Sequence, residues 1–131
     1  MDIPKEATDF AAFWAGLVSD GRVADVVSLY DAEATLMPTF SPHSLRTRDE
    51  ITDYFTQLAA REGLEVELHE ETFAAAELSD GLFGISGIYS FHFEVDGTSL
   101  TFPARFTLVI DLQRDAPILH HHSSQSPRTL S

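Results

Sequence analysis

The sequence predicts an α+β fold, a cone-shaped roll in which three helices from the N-terminal half pack on one face of a curved, mostly antiparallel sheet. Three observations carry this prediction. Up to Gly63 the apolar residues recur mainly at helical spacing, with one short strand among them; beyond it they alternate in runs, as strands do. Two turn signals, Ser79-Asp80-Gly81 and Asp96-Gly97, fold that alternating region back on itself. Helices bunched ahead of strands, rather than interleaved with them, point to α+β and away from a parallel α/β architecture.

Each element has its own signal. The first helix covers residues 5–19, where Phe10, Phe13, Trp14, Leu17 and Val18 form an apolar face, and Asp20-Gly21 breaks it. Val23, Val26, Val27 and Tyr30 mark a second, shorter helix. Residues 33–39 read as a short strand with Pro38 near its end, followed by a loop at Ser41-Pro42-His43-Ser44. The third helix starts near Thr47, whose hydroxyl stands three residues before Glu50 in a capping-box arrangement. It buries Ile51, Tyr54, Phe55 and Leu58, and Gly63 ends it. Four strands follow as a meander: 64–78, 82–95, 99–112 and a last one entered at Ile118 and carrying His120-His121-His122.

Strand alternation then assigns faces. Along 82–95, Phe83, Ile85, Gly87, Tyr89, Phe91, Phe93 and Val95 share one side. Gly84 and Gly87 permit sharp curvature or close approach of a ligand, so the sheet should wrap the helices as a cone with a cavity. Along 99–112, Phe102, Ala104, Phe106, Leu108 and Ile110 oppose Thr101, Pro103, Arg105, Thr107, Val109 and Asp111. Apolar weight on both sides implies a second copy against the outer side; a locally two-sided core without a partner is the other reading.

Composition bounds the function. The chain has 131 residues, enough for one domain with a real core, taken as 1–127 with a frayed tail at 128–131. Acidic residues number 21 against 8 basic ones, a formal net charge of −13, which repels nucleic acid and anionic membranes. There is no cysteine, so disulfides and thiolate chemistry are excluded. Met1 to Glu6 lacks the features of a leader and no apolar run would span a bilayer, so a soluble, cytoplasmic protein is expected. No phosphate loop, zinc signature or Ser-His-Asp order is present, and no cofactor is expected.

The residues that carry chemistry sit in the last two strands. Arg105 lies among apolar residues, and such a cation must meet a carboxylate, carbonyls or an anionic ligand. It reads as a clamp for a carboxylate or enolate oxygen, or as half of an internal salt bridge with a helix acid. A histidine of the last strand offers a base or donor near neutral pH. Histidines that only bond backbone and hydroxyls are the plainer reading. A metal bound by His120, His122 and His92 lacks any supporting carboxylate or cysteine pattern, and none is expected. Tyr89 and Tyr54 are candidate phenolic donors inside the cone, with Trp14 in its apolar wall.

Three stretches carry a family resemblance: "ATLMPTFSPHSLRTRDEITDYF" at 34–55, "ARFTLVI" at 104–110 and "ILHHHSSQSP" at 118–127. With the order of elements, they resemble the nuclear transport factor 2-like superfamily over nearly the whole chain. Within it the sequence is most similar to the association domain of calcium/calmodulin-dependent protein kinase II and its free-standing bacterial relatives, which overlap SnoaL-like proteins. The resemblance implies a homodimer or larger ring through the outer sheet face. It matches Arg105 to an arginine that points into the cone and His120-His121-His122 to a His-x-His motif; Ser123 stands where a second inward arginine would be. If Ser123 faces inward, alternation turns Leu119 and His121 inward too, and His120 and His122 outward, unless a bulge reverses them. The expected pocket is therefore lined by Arg105, His121, Ser123, Tyr89, Thr107, Tyr54 and Trp14, and takes a small carboxylate or enolate-like ligand. The alternative is a SnoaL-like enzyme for acid–base isomerisation, cyclisation or dehydration of a polyketide- or steroid-like substrate. His121 and Tyr89 would then be the catalytic candidates, since Asp111 at a strand end is the one interior-side aspartate.

Overall fold

Glu6 starts the first helix, α1 (Ala7–Ser19), by accepting the backbone N–H groups of Thr8 and Asp9 on its carboxylate. The computed structural model describes residues 1–128; of the tail, 129–131 lie outside the described residues and Arg128 is exposed. The apolar face of α1 buries Phe10, Ala11, Trp14, Leu17 and Val18. Gly21, with φ at +68°, turns the chain into α2 (Val23–Ser28). Tyr30 does not continue that helix. It opens β1 (Tyr30–Met37) and pairs with Ile118, because the next apolar residues, Ala34 and Leu36, alternate toward the core as a strand requires.

The capping box at Thr47 forms. Its hydroxyl accepts from the Glu50 N–H at 3.1 Å, and the Glu50 carboxylate accepts from the Thr47 N–H at 3.0 Å. α3 (Arg48–Ala59) then buries Ile51, Phe55 and Leu58.

β2 (Glu65–Ser79), β3 (Leu82–Val95), β4 (Thr98–Asp111) and β5 (Ile118–Gln125) form the antiparallel meander. β1 closes the sheet beyond β5, parallel to it, giving the order β1-β5-β4-β3-β2. The helices cover the inner face, where Ile85, Tyr89, Phe91, Phe93, Ala104, Phe106, Leu108 and Ile110 are buried.

Two irregularities shape the sheet. Residues 70–73 bulge out of β2 opposite Gly87, and the Phe73 ring lies so close that a side chain on Gly87 would meet it at 2.4 Å. In β5 the register shifts so that Ile118 pairs with Ile110 and His120 with Val109. Leu119 is the extra residue and is only half-buried, whereas Ile118 is fully buried, contrary to simple alternation along the strand.

The outer face is less apolar than expected. On β4, Thr101, Pro103, Arg105 and Thr107 are exposed there, and Val109 and Asp111 are half-buried. Among the described residues no helix is long and apolar enough to cross a membrane.

Candidate functional site

Inside the cone a chain of polar groups runs through the apolar core. His121 is 1% exposed; its Nδ1 lies 2.9 Å from the Tyr30 hydroxyl and its Nε2 lies 3.0 Å from the Tyr89 hydroxyl. The Trp14 indole donates to the Tyr30 oxygen at 3.2 Å. An indole N–H only donates, so the Tyr30 proton is free to go to His121 Nδ1. That leaves Nε2–H to donate to Tyr89, which in turn meets Ser123 and Thr39. The Ser123 and Thr39 hydroxyls are bonded to each other. The chain is thus oriented from Trp14 to Tyr89, and among the described residues no buried side-chain polar atom lacks a partner.

The rings around it are close-packed. Trp14 stacks on Tyr89 with centroids 5.5 Å apart, and Tyr89 stacks on Phe106 at 4.6 Å. Burial, reinforced by the neighbouring His120 and His122, holds the His121 imidazole down at about 3, so it is neutral at pH 7. Burial pushes the Tyr30 and Tyr89 phenols well above their usual value. These groups hold a proton network but are closed off from solvent.

Where the cone opens, a cleft of about 450 Å³ lies between α3, the loop after β1 and the end of β3. Phe40, Leu45, Tyr54, Leu58 and Phe93 supply its apolar surface, and Glu50, Asp53, Gln57 and Arg61 its polar one. Phe40 packs edge-on against Phe91, Phe93 and Phe102 at 5.2 to 5.4 Å, so the floor is a fixed aromatic cluster. The Arg61 guanidinium stands 5.4 Å above the Phe93 ring. Burial lifts the Tyr54 phenol to about 12, with the Phe40 backbone opposing.

The pocket expected from the sequence is therefore divided. Trp14, Tyr89, His121 and Ser123 come together in the closed interior, and Tyr54 borders the cleft. Arg105 and Thr107 do not join them. Ala104, Phe106 and Leu108 face inward, so strand alternation sends Arg105 and Thr107 to the opposite side of the sheet. His120 and His122 also lie on that side, and His92 binds Thr101 and Glu67 there. Among the described residues no three metal-ligating side chains converge.

Solved structures share this fold over nearly the whole chain. A protein from Xanthomonas campestris assigned as a calcium/calmodulin dependent protein kinase II association domain superposes with a TM-score of 0.81 at 26% identity, covering 98% of this chain and 95% of its own. The chain has the nuclear transport factor 2-like fold. An NTF2-like protein with a cystatin-like fold from Novosphingobium aromaticivorans matches at 0.75 and 11% identity, over 96% of this chain and 83% of that one. SalBIII, an epoxide hydrolase/cyclase-like enzyme of salinomycin pyran-ring formation, matches at 0.73 and 13%, over 91% and 89%. No protein-family model matches the sequence, and no curated protein does.

Two residues of this nuclear transport factor 2-like cone escaped the sequence reading. Tyr30 was hidden by its helical spacing from Val26 and Val27, and Thr39 by its place at the end of a short strand. The signal available for both was polarity beside an otherwise apolar stretch that ends in a strand partner for the histidines.

Proposed function

We propose that this protein is a small-molecule-binding domain that associates with copies of itself, with its ligand held in the cleft at the mouth of the cone and without catalysis of its own. The cleft carries the reading: about 450 Å³ of space over an aromatic floor, edged by both carboxylates and a guanidinium, has the size and mixed lining of a ligand site. The interior chain ends at Thr39, next to Phe40 of that floor, and braces it from behind. Self-association through the outer sheet face draws on the likeness to the Xanthomonas association-domain protein.

The test is a small-molecule screen by thermal shift on the wild type and on Gln57→Trp, which fills the cleft from an exposed position. Ligands of the cleft raise the melting temperature of the wild type and not of the variant. Compounds that act equally on both would remove the cleft as the site.

An acid–base enzyme of the SnoaL-like kind is favoured by one observation, the oriented Trp14–Tyr30–His121–Tyr89 chain. Such an enzyme needs the interior to open. Mapping histidine acylation by mass spectrometry decides this: His121 modified as fast as exposed His122 supports the enzyme, and a protected His121 supports the binding domain.

A further inference from the structure

We propose that the outer face of the sheet carries a second site, for a small carboxylate, centred on Arg105. β4 holds Arg105 between Ile88 of β3 and Ser124 of β5, so its guanidinium rises from the middle of the sheet. Around it lies a shallow depression of about 440 Å³ to which Thr72, Ser86, Thr107, His122 and Ser124 contribute. The depression exists because β2 leaves its register with β3. Residues 70–73 arch away opposite Gly87, and the Thr72 hydroxyl, accepting from the Ile88 N–H at 2.9 Å, fixes that arch in place.

Charge makes this patch unusual for the chain. Acidic residues number 21 in the sequence, yet none lines the depression. Among the described residues Arg105 forms no ion pair, whereas Arg22 and Arg114 both do. A planar guanidinium presents two parallel N–H donors that match the two oxygens of a carboxylate. The hydroxyls of Ser86 and Thr107 supply further donors beside it, and His122 is held by Ser124 at 2.9 Å. One arginine, with no lysine in the lining, suits a singly charged carboxylate better than a phosphate. This site lies across the sheet from the cleft, so its failure leaves the cleft untouched. It shares the outer face with the proposed self-association, so a free carboxylate reaches it in the unassociated chain.

Amide chemical shifts of labelled protein, titrated with acetate and with succinate at matched ionic strength against chloride, provide the test. In the wild type the amides of Ile88, His122 and Ser124 should shift saturably. Arg105→Gln should weaken binding at least tenfold, about 1.4 kcal/mol. Arg105→Lys should recover part of it, because the charge returns without the fork. The melting temperature of both variants should match the wild type, since the side chain is exposed, and Gln57→Trp should bind acetate normally. Shifts that never saturate, or that persist in Arg105→Gln, would overturn the site. Sedimentation velocity on the same samples separates the sources of the carboxylate. An oligomer that acetate disperses and that Arg105→Gln abolishes would place a second copy's acidic side chain on Arg105 and overturn the free-ligand site.

Discussion

A histidine whose two ring nitrogens both meet tyrosine hydroxyls in a closed core is held there as the neutral imidazole, and that has a pH consequence. In the unfolded chain His121 takes a proton at the ordinary value of 6.5, but in the fold only at about 3. Between those values the unfolded state binds the extra proton, so stability is full above 6.5 and falls as pH drops toward 3. Near pH 5 this one group removes on the order of 2 kcal/mol. Urea unfolding at pH 7 and pH 5 reads the loss, and His121→Gln, which keeps polar atoms but does not titrate, should flatten the difference while lowering stability at pH 7. Tyr89→Phe leaves Nε2–H of His121 without its acceptor, and the expected cost is about 1–3 kcal/mol in the same assay. The inward turn of His121 followed from the sequence only on condition that Ser123, matched by family resemblance to an inward position, faces the core, with a bulge as the alternative. In the structure both His121 and Ser123 are buried. It misplaced Arg105 because an arginine among apolar residues looks buried when both faces of a strand are apolar, and the structure gives the inner face wholly to Ala104, Phe106, Leu108 and Ile110.

At the level of elements, the legible ones are those fixed by near neighbours. The start of α3 was readable because the capping box closes within Thr47 to Glu50. Thr47→Ala should cost about 1 kcal/mol in chemical denaturation. Its effect should also reach the cleft, since Glu50, Asp53 and Tyr54 are placed there by the first turns of this helix. The hairpins at Asp80-Gly81 and Asp96-Gly97 were equally local, and Gly81 and Gly97 adopt the positive φ their turns require. The parallel pairing of β1 with β5 was not readable, because Tyr30 and Ile118 stand near opposite ends of the chain and no local pattern names a distant partner. The arch in β2 escaped for a related reason: nothing in Glu70 to Phe73 announces that all four oppose one glycine. Gly87→Ala tests that arch. The added methyl would force the Phe73 ring off Phe106, at a cost of about 1–3 kcal/mol, and Phe73→Ala should relieve the clash in the double variant.

For the whole molecule the governing quantity is a formal charge of −13 on 131 residues. Copies of such a chain repel one another before any surfaces meet, and that repulsion reaches over roughly 10 Å at moderate salt. Association through the outer face must therefore overcome a long-range term that has nothing to do with fit. Adding salt screens the repulsion, so the proposed self-association should strengthen as sodium chloride rises from low to physiological concentration. Sedimentation equilibrium at several salt concentrations measures this directly. The opposite trend, an oligomer that loosens with salt, would mean that close pairs between unlike charges outweigh the net charge. Arg105 at the centre of an acid-free patch is the residue on that face best placed to make such a pair. The direction of the salt effect thus separates two kinds of contact: apolar and hydrogen-bonded packing of Ile88 and Val109 surfaces against like-charged copies, or an ion pair at Arg105. Arg105→Gln then discriminates again, because it should leave the first kind of oligomer intact and dissolve the second.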